Sequence, residues 1–86
     1  MKATEKILKA LANRRRLMIL KLLDKTTKLA VGDIAKEIKL SFKATSKHLG
    51  LLRAADIIER EQVSSQMYYS LSRPPVTIVK STLDVL

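Results

Sequence analysis

The chain has no cysteine, one histidine and only two glycines among its 86 residues. Without cysteine it forms neither a disulfide nor a thiolate metal site. It has no glycine-rich loop to hold a phosphate group, and its single histidine has no Asp or Glu at a spacing that would suit catalysis. These absences argue against an enzyme, and we expect no cofactor.

Long apolar runs are also missing. No stretch approaches the roughly 20 residues that a membrane span needs, and the opening segment MKATEKILKALANRRR carries charges where a signal peptide has its apolar core. We therefore expect no membrane contact and a cytoplasmic protein. A chain this short buries a modest share of its surface, which favours one domain over residues 1–86 and a benefit from a second copy.

Acidic residues are scarce: 8 Asp and Glu stand against 17 Lys and Arg, which gives a net charge of +9 and an isoelectric point near 10.2. Such an excess is typical of proteins that neutralise phosphates. Lysine is also common on ordinary solvated surfaces, so the positions of the basic residues have to distinguish a phosphate-binding surface from a merely soluble one. Between Lys36 and Arg53 there are five basic residues, and Glu37 is the only acidic one. The charge is concentrated in one segment.

This segment predicts a helix with one packing face and one basic face. Ser41 is a good N-cap, because its hydroxyl can accept a backbone N–H of the first turn. Apolar and small residues then recur at helical spacing, and the cations lie off that stripe. The stripe comprises Thr45, Leu49 and Leu52, and the cations are Lys43, Lys47 and Arg53.

From Ile57 onward the pattern changes to a period of two, which predicts a hairpin over residues 57–71. The two alternating runs are separated by the polar tip Val63-Ser64-Ser65. Tyr68 and Tyr69 lie on opposite faces of the second strand, and the register decides which of them is in the core. A basic helix followed by a hairpin suits a helix that enters a DNA groove and a wing that flanks it.

The remaining segments predict a mainly α fold with a small β-hairpin (α+β), in the order α-α-(β)-α-α-β-β-α. Thr4 is expected to cap the first helix and Asn13 the second, RRRLMILKLLD, which is apolar nearly all round and should form the core. A short edge strand is expected at Leu29-Ala30-Val31 and a brief helix at Asp33–Ile38, with Ile34, Ala35 and Ile38 inward. Pro74-Pro75 ends the hairpin, because proline lacks the N–H that a ladder needs.

The last helix, PVTIVKSTLDVL, carries two neighbouring apolar stripes. A monomer can cover one of them against its own core, and the other needs a partner. We therefore predict a homodimer through the terminal helices, residues 3–12 and 75–86. The expected interface residues are Ile7, Leu8 and Leu11 of the first helix and Val76, Val79, Leu83 and Leu86 of the last, with Ile78, Thr82 and Val85 as the second stripe.

Three segments in this order resemble the ArsR/SmtB winged-helix repressors. LANRRRLMILKLL is similar to the family's L-A-D-P-T-R-x-x-I-L-x-L-L. DIAKEIKLSFKATSKHLGLLRAADII is similar to E-L-A-x-x-L-x-L-S-x-x-x-V-S-x-H-L-x-x-L-x-x-A-G-L-V, and MYYSL is similar to V-Y-Y-x-L. The resemblance covers about Leu8 to Leu71. It implies a winged helix-turn-helix fold and a homodimeric, sequence-preferring regulator of transcription, a repressor, associated with the nucleoid.

In such proteins the helix that corresponds to residues 42–55 enters the major groove of double-stranded DNA, and the hairpin contacts flanking DNA. The resemblance therefore implies DNA contacts from both elements. It also implies an internal ion pair for Arg16, with Arg14 and Arg15 exposed near the DNA backbone. Phe42 either touches a thymine methyl or covers the junction with Leu40 and the preceding helix. The expected DNA-binding residues are Ser41, Phe42, Lys43, Ala44, Ser46, Lys47, His48 and Arg53 of the helix and Arg60, Gln62, Ser64 and Gln66 of the wing.

Two departures from the family bear on sensing. Where many members carry a metal-binding Cys-x-Cys pair, this chain has Ala30 and Gly32, and its last helix offers only Asp84 as a ligand. A tight transition-metal site usually needs four ligands, so we expect no metal site. We expect His48 to be neither a ligand nor a pH sensor. Gly50 is also unusual inside a helix, where glycine costs about 1 kcal/mol relative to alanine; we expect it to permit a close approach.

Two alternatives use the same scaffold. A winged-helix module can bind another protein, although the five basic residues of the third and fourth helices count against that function. A non-specific, chromatin-like DNA coat would differ from a repressor only in its specificity ratio. The sequence does not give that ratio.

Overall fold

The computed structural model describes all residues, 1–86, as five helices and a three-stranded antiparallel sheet. The elements are α1 (Lys2–Leu11), α2 (Arg14–Lys25), β1 (Leu29–Ala30), α3 (Val31–Ile38), α4 (Phe42–Ala54), β2 (Ile58–Val63), β3 (Gln66–Leu71) and α5 (Thr77–Val85). The predicted order of elements, with its short edge strand, is confirmed. None of the helices is long and apolar enough to cross a membrane.

Two of the three predicted helix caps are confirmed. The Asn13 side chain accepts from the backbone N–H groups of Arg15 and Arg16 at 2.9 and 3.1 Å, and the Ser41 hydroxyl accepts from that of Ala44 at 3.1 Å. The prediction that Thr4 caps α1 is wrong. The helix begins at Lys2 without a side-chain cap, because the residues before Thr4 are compatible with a helix and nothing stops it earlier.

The helix α3 begins two residues before the predicted start and ends in a left-handed residue. Val31 and Gly32 belong to its first turn, and its buried side is Ile34, Ala35 and Ile38, as predicted. Lys39 follows with φ 56° and ψ 50°, and its N–H donates to carbonyls of the last turn. This conformation makes the tight connection between α3 and α4.

The strands pair in the order β1-β3-β2, and their register separates the two tyrosines. Tyr69 pairs with Leu29 and Arg60 and is 8% exposed, so it is the core tyrosine. Tyr68 lies on the other face, where the Lys28 ammonium is 5.3 Å from its ring centroid. The wing begins at Ile58 and turns through Ser64-Ser65, with Ser64 at φ 60°.

The core lies between α2, α4 and the sheet. Its central residues on α2 are Ile19, Leu20 and Leu23, all at 0% exposure. The expectation that α2 is buried all round is wrong on one side, where Met18 remains 38% exposed.

The structure also corrects three residues of the sequence analysis. Val79 and Leu11 are 1% and 6% exposed and belong to the chain's own core, so they offer almost no surface to a partner, and their assignment to the dimer interface is wrong. Gly50 lies on the outside of α4, and a Cβ built there meets no atom within 4 Å. The expected close approach at Gly50 is therefore absent.

Candidate nucleic-acid interface

The outer side of α4 is where most of the predicted DNA-binding side chains lie. Thr45, Leu49 and Leu52 are buried on the inner side, which turns the basic positions outward. Lys43, Lys47 and Arg53 are exposed, as are Ser41 and Phe42, and Ala44, Ser46 and His48 are half-buried at the margins. The helix therefore presents a row of cations flanked by small and polar side chains.

The cations of this region have no acidic partners. All five basic residues between Lys36 and Arg53 are exposed. The structure contains two ion pairs, Lys9–Glu5 at 3.9 Å and Lys28–Glu61 at 3.2 Å, and neither involves these five. Unpaired cations on a convex helix are free to contact phosphates.

Two further basic residues lie at this surface. Arg15 was expected to be exposed near the DNA backbone, whereas Lys39 was not among the expected DNA contacts. Arg15 is exposed, and its Nη1 donates to the Ile38 carbonyl at 3.3 Å, which holds the guanidinium beside the end of α3. Lys39, in the left-handed turn, is exposed between α3 and α4. Lys39 lies inside the basic run and could have been chosen on that ground, whereas the position of Arg15 depends on how α2 packs against α3.

The wing places its predicted contact residues on exposed positions. Arg60 and Gln62 share a face of β2 with Ile58, and Ser64 and Gln66 are at the tip. The Gln62 amide donates to the Ser64 carbonyl at 3.4 Å within the tip. On the other face, the Lys28–Glu61 pair links β2 to the residue that precedes β1, which ties the wing to the body of the domain.

A cleft between the second half of α4 and the edge strand β2 brings the helix and the wing together. Arg53 and Arg60 both line it. Their charges are partly offset there by two carboxylates of the same cleft. The lining residues are Gly50, Arg53, Ala54, Asp56, Ile58, Glu59 and Arg60.

Phe42, at the start of α4, is 61% exposed. Its ring lies near the tip of the wing and the first turn of α3, in a hollow that also includes Ala30, Gly32 and Met67. The ring is thus partly covered beside α3, and both expected roles of Phe42 stay predictions. The ring is open to a ligand on the basic side of the domain.

Arg16 makes hydrogen bonds instead of the expected internal ion pair. Its guanidinium donates to the Ala10 carbonyl, to the Lys9 carbonyl at 3.3 Å, and to Nδ1 of His48 at 3.2 Å. Burial and the positive charges of Arg16, Lys47 and Arg15 lower the pKa of His48 from its ordinary value of 6.5. As expected, Arg14 and Arg15 are exposed.

A different surface is formed by the terminal helices. Leu8 of α1 is 51% exposed, and Val85 and Leu86 at the end of the chain are 83% and 38% exposed. Val76, just before α5, is 50% exposed. Ile7, Ile78 and Leu83 are half-buried against the chain's own core. The open apolar surface is therefore smaller than the two stripes of the sequence suggest.

No three carboxylate or imidazole side chains come together as a possible metal site. Ala30 and Gly32 lie at the start of α3 and have no ligand atoms in their side chains. Asp84 is exposed on α5 and forms no ion pair.

Comparison with known proteins gives consistent matches. Residues 13–60 match the model of the family described as bacterial regulatory protein, arsR family. The chain is 38% identical over 81 residues to the transcriptional activator HlyU of Vibrio cholerae, a match that covers 93% of this chain and 70% of HlyU. It is 35% identical over 78 residues to the transcriptional repressor SdpR of Bacillus subtilis, which covers 91% and 82% of the two chains.

Solved structures agree with the sequence relatives. A structure of Vibrio cholerae HlyU matches with a TM-score of 0.82 at 32% identity, covering 98% of this chain and 87% of that one. A homodimeric winged helix-turn-helix DNA-binding domain from Mycobacterium bovis matches with a TM-score of 0.85 at 27% identity, covering 98% and 75%. The predicted winged helix-turn-helix fold is confirmed, and the chain belongs to the ArsR family of DNA-binding transcriptional regulators.

Proposed function

We propose that this protein is a homodimeric repressor that binds a palindromic site in double-stranded DNA, with α4 in the major groove and the wing on flanking DNA. The observation that carries the proposal is the row of exposed cations on α3 and α4, none of which is paired with a carboxylate. Phosphate contacts supply most of the affinity in such complexes, and contacts to base edges supply the specificity.

Within this proposal the residues of α4 divide by chemistry. Lys43 and Lys47 supply charge, and Ser46 offers a hydroxyl that can donate to or accept from a base edge. Phe42 and Ala44 are small or apolar groups that suit contact with a thymine methyl. Arg60, Gln62, Ser64 and Gln66 of the wing, with Arg53 across the cleft, would contact the flanking backbone or minor groove.

The dimer is supported by the apolar side chains left open on the terminal helices, Leu8, Val76, Val85 and Leu86. The related domain from Mycobacterium bovis is homodimeric. Two α4 helices about 34 Å apart would meet successive major grooves on one side of the duplex. A single half-site would be bound weakly, so assembly and DNA binding are linked.

Repression is the simplest outcome of occupancy, because a dimer bound across a promoter excludes polymerase. HlyU is a transcriptional activator and SdpR is a transcriptional repressor, so relatives of this chain act in both directions. Placing the selected site over or upstream of a reporter promoter, and measuring transcription with and without the protein, tests the repressor assignment. Increased transcription from a site that overlaps the promoter would contradict it.

The central experiment is selection of bound sequences from random DNA, followed by affinity measurements on the selected site and on a scrambled control. A repressor should prefer its own site by about 10³-fold or more. Equal affinity for both sequences would favour the non-specific DNA coat. Binding should also weaken with salt, with a logarithmic slope of about 0.9 per phosphate neutralised, whereas a protein-interaction module would show no such dependence.

Two double variants that remove the same charge test whether the outer face of α4 binds DNA. Lys43→Ala with Lys47→Ala removes two exposed cations of α4, and Lys21→Ala with Lys25→Ala removes the same charge from α2. Only the first pair should lower the salt slope, by about 1.8 for each subunit, and reduce affinity for the selected site. Equal losses for both pairs would show that net charge, and not the face of α4, carries the binding.

A further inference from the structure

One side chain joins three helices of this domain. Arg16, in the first turn of α2, donates to the Lys9 and Ala10 carbonyls at the end of α1 and to Nδ1 of His48 on α4. No other side chain bonds to two other helices. The carbonyls at a helix C-terminus carry partial negative charge and have no partners within their own helix, so a guanidinium is a favourable group to satisfy them.

The bond between Arg16 and His48 fixes the protonation state of the imidazole. A guanidinium has donors only, so Nδ1 of His48 must be the acceptor, and the neutral ring carries its proton on Nε2. The charged groups that face the ring are Arg16 and Arg15 from α2 and Lys47 from α4. On α1, Lys6 and Lys9 line a hollow with Arg16, and Lys9 pairs with Glu5 at 3.9 Å. No carboxylate is among the charges that act on the ring of His48.

We propose that Arg16 is a positioning residue that holds α4 against the end of α1 through His48, and that protonation of His48 opens this link and weakens DNA binding. An imidazolium and a guanidinium are both donors, so they cannot bond and they repel each other. The proposal rests on the proposed function, in which α4 contacts DNA and α1 belongs to the dimer surface. The hydrogen bond between Arg16 and His48 would then keep the two α4 helices of a dimer at a fixed separation.

The first test needs no DNA. His48 is the only histidine, so its ring nitrogens can be followed by NMR without ambiguity. We expect the Nε2–H tautomer to dominate in the neutral wild-type protein. Arg16→Met should raise the pKa of His48 toward its ordinary value and produce a mixture of tautomers. Identical titrations of the two proteins would overturn the link. Should Arg16→Met fail to fold, Arg16→Gln, which removes the charge and keeps a polar side chain, takes its place with the same expected rise in the pKa of His48.

The second test measures affinity for the selected DNA site against pH. Protonated His48 adds a positive charge that would by itself raise the affinity for DNA, and measurement at about 0.3 M salt limits this effect by screening. Because the pKa of His48 is lowered from its ordinary value, the loss should lie at the acidic end of the range in which histidine titrates. Between about pH 7.5 and about pH 5, we expect the wild-type affinity to fall by roughly tenfold, as for the loss of one hydrogen bond to a charged group.

The control is His48→Asn, because its amide oxygen can accept from Arg16 and does not titrate. Whatever its affinity at the higher pH, this variant should change by less than about twofold on acidification. Arg16→Met should be weak at both pH values. If Arg16 only stabilised the fold, Arg16→Met would still bind weakly, but the wild type and His48→Asn would show the same pH profile.

Each negative result has a separate meaning. If the wild type and His48→Asn share one pH profile while both bind DNA, the coupling is wrong and the proposed function stands. If neither protein binds DNA at any pH, the proposed function fails and the coupling fails with it. In that case the NMR titration still decides whether Arg16 controls His48.

Discussion

The outer side of α4 and the terminal helices differ in the kind of side chain that they leave exposed. On α4 the outer positions are cations without acidic partners, such as Lys43 and Lys47. On α1 and α5 the outer positions are apolar, with Leu8 51% and Val85 83% exposed. The first surface is suited to a polyanion and the second to another apolar surface. Under the proposed function, DNA recognition and dimer assembly would use separate surfaces of the chain, so each surface can be altered without changing the residues of the other.

The largest effect should come from placing charge on the apolar surface. Leu8→Asp combined with Val85→Asp should dissociate the dimer, because burying such side chains is worth about 1.5 to 3 kcal/mol each and a symmetric interface counts each twice. The monomer should lose most of its affinity for a palindromic site although α4 is unchanged. Sedimentation equilibrium and a DNA titration on the same samples measure both effects.

Met18→Asp is the matched control, since Met18 is also exposed and apolar but lies in a hollow that α2 forms with Glu37 and Ile38 of α3. It should remain a dimer. If the double variant also remains a dimer, the interface lies elsewhere. Leu83→Asp is less suitable as a test, because Leu83 packs against the chain's own core and a charge there would disturb the fold as well as the assembly.

Features that depend on a few neighbouring residues could be predicted from the sequence. The caps at Asn13 and Ser41 were among them, since a cap needs only a polar side chain and the next turn of helix. The hairpin and the buried side of α4 could also be predicted, because apolar residues recur in them at the spacing of a strand and of a helix, respectively. The DNA contacts of these elements remain predictions. They involve a partner molecule, and the basic residues of the sequence indicate only that this partner is negatively charged.

Features that depend on packing could not be predicted in the same way. The last helix is apolar on most sides, so its sequence does not say which stripe faces inward, and Val79 proved to be core. Arg16 was expected to find a carboxylate, but its nearest acceptors are carbonyls at the end of α1 and a ring nitrogen of His48. Those partners are brought together by the arrangement of three helices.

A smaller effect is expected from the inner side of α4. The Thr45 hydroxyl is fully buried and has no hydrogen-bond partner, and a buried unsatisfied polar group costs roughly 1 to 3 kcal/mol. Thr45→Val keeps the shape and removes that cost, so it should raise the free energy of unfolding by about 1 kcal/mol. DNA affinity should not change, because the residue faces inward.

Denaturant unfolding of Thr45→Val beside Thr82→Val checks this reasoning. Thr82 donates to the Ile78 carbonyl at 2.8 Å, so its replacement should give no gain. A destabilised Thr45→Val protein would show that the hydroxyl has a partner in solution, such as a water molecule. A change in DNA affinity would show that the inner face of α4 also affects its outer side.

A still smaller change in stability is expected at Lys39, which is exposed and has a strained, left-handed backbone conformation. A residue with a Cβ is disfavoured at φ 56°, so Lys39→Gly should stabilise the fold by up to about 1 kcal/mol, less the entropy that glycine adds to the unfolded chain. The same change removes an exposed cation, so DNA affinity should fall while stability rises. Lys36→Ala, which removes a cation from an ordinary helical position, is the control. A less stable Lys39→Gly protein would contradict the argument from strain.

The smallest effect, none at all, is expected from metal ions. Ala30 and Gly32 have no ligand atoms in their side chains, and Asp84 supplies one carboxylate on α5. No group of three ligating side chains is present elsewhere in the chain, and a tight zinc site needs about four ligands. Titrating zinc, cadmium, arsenite or copper into a preformed protein–DNA complex should therefore leave it intact at one equivalent per subunit. Release near one equivalent would reveal ligands shared between two subunits, most directly through Asp84 of each, and would make the apolar terminal surface a sensor as well as an interface.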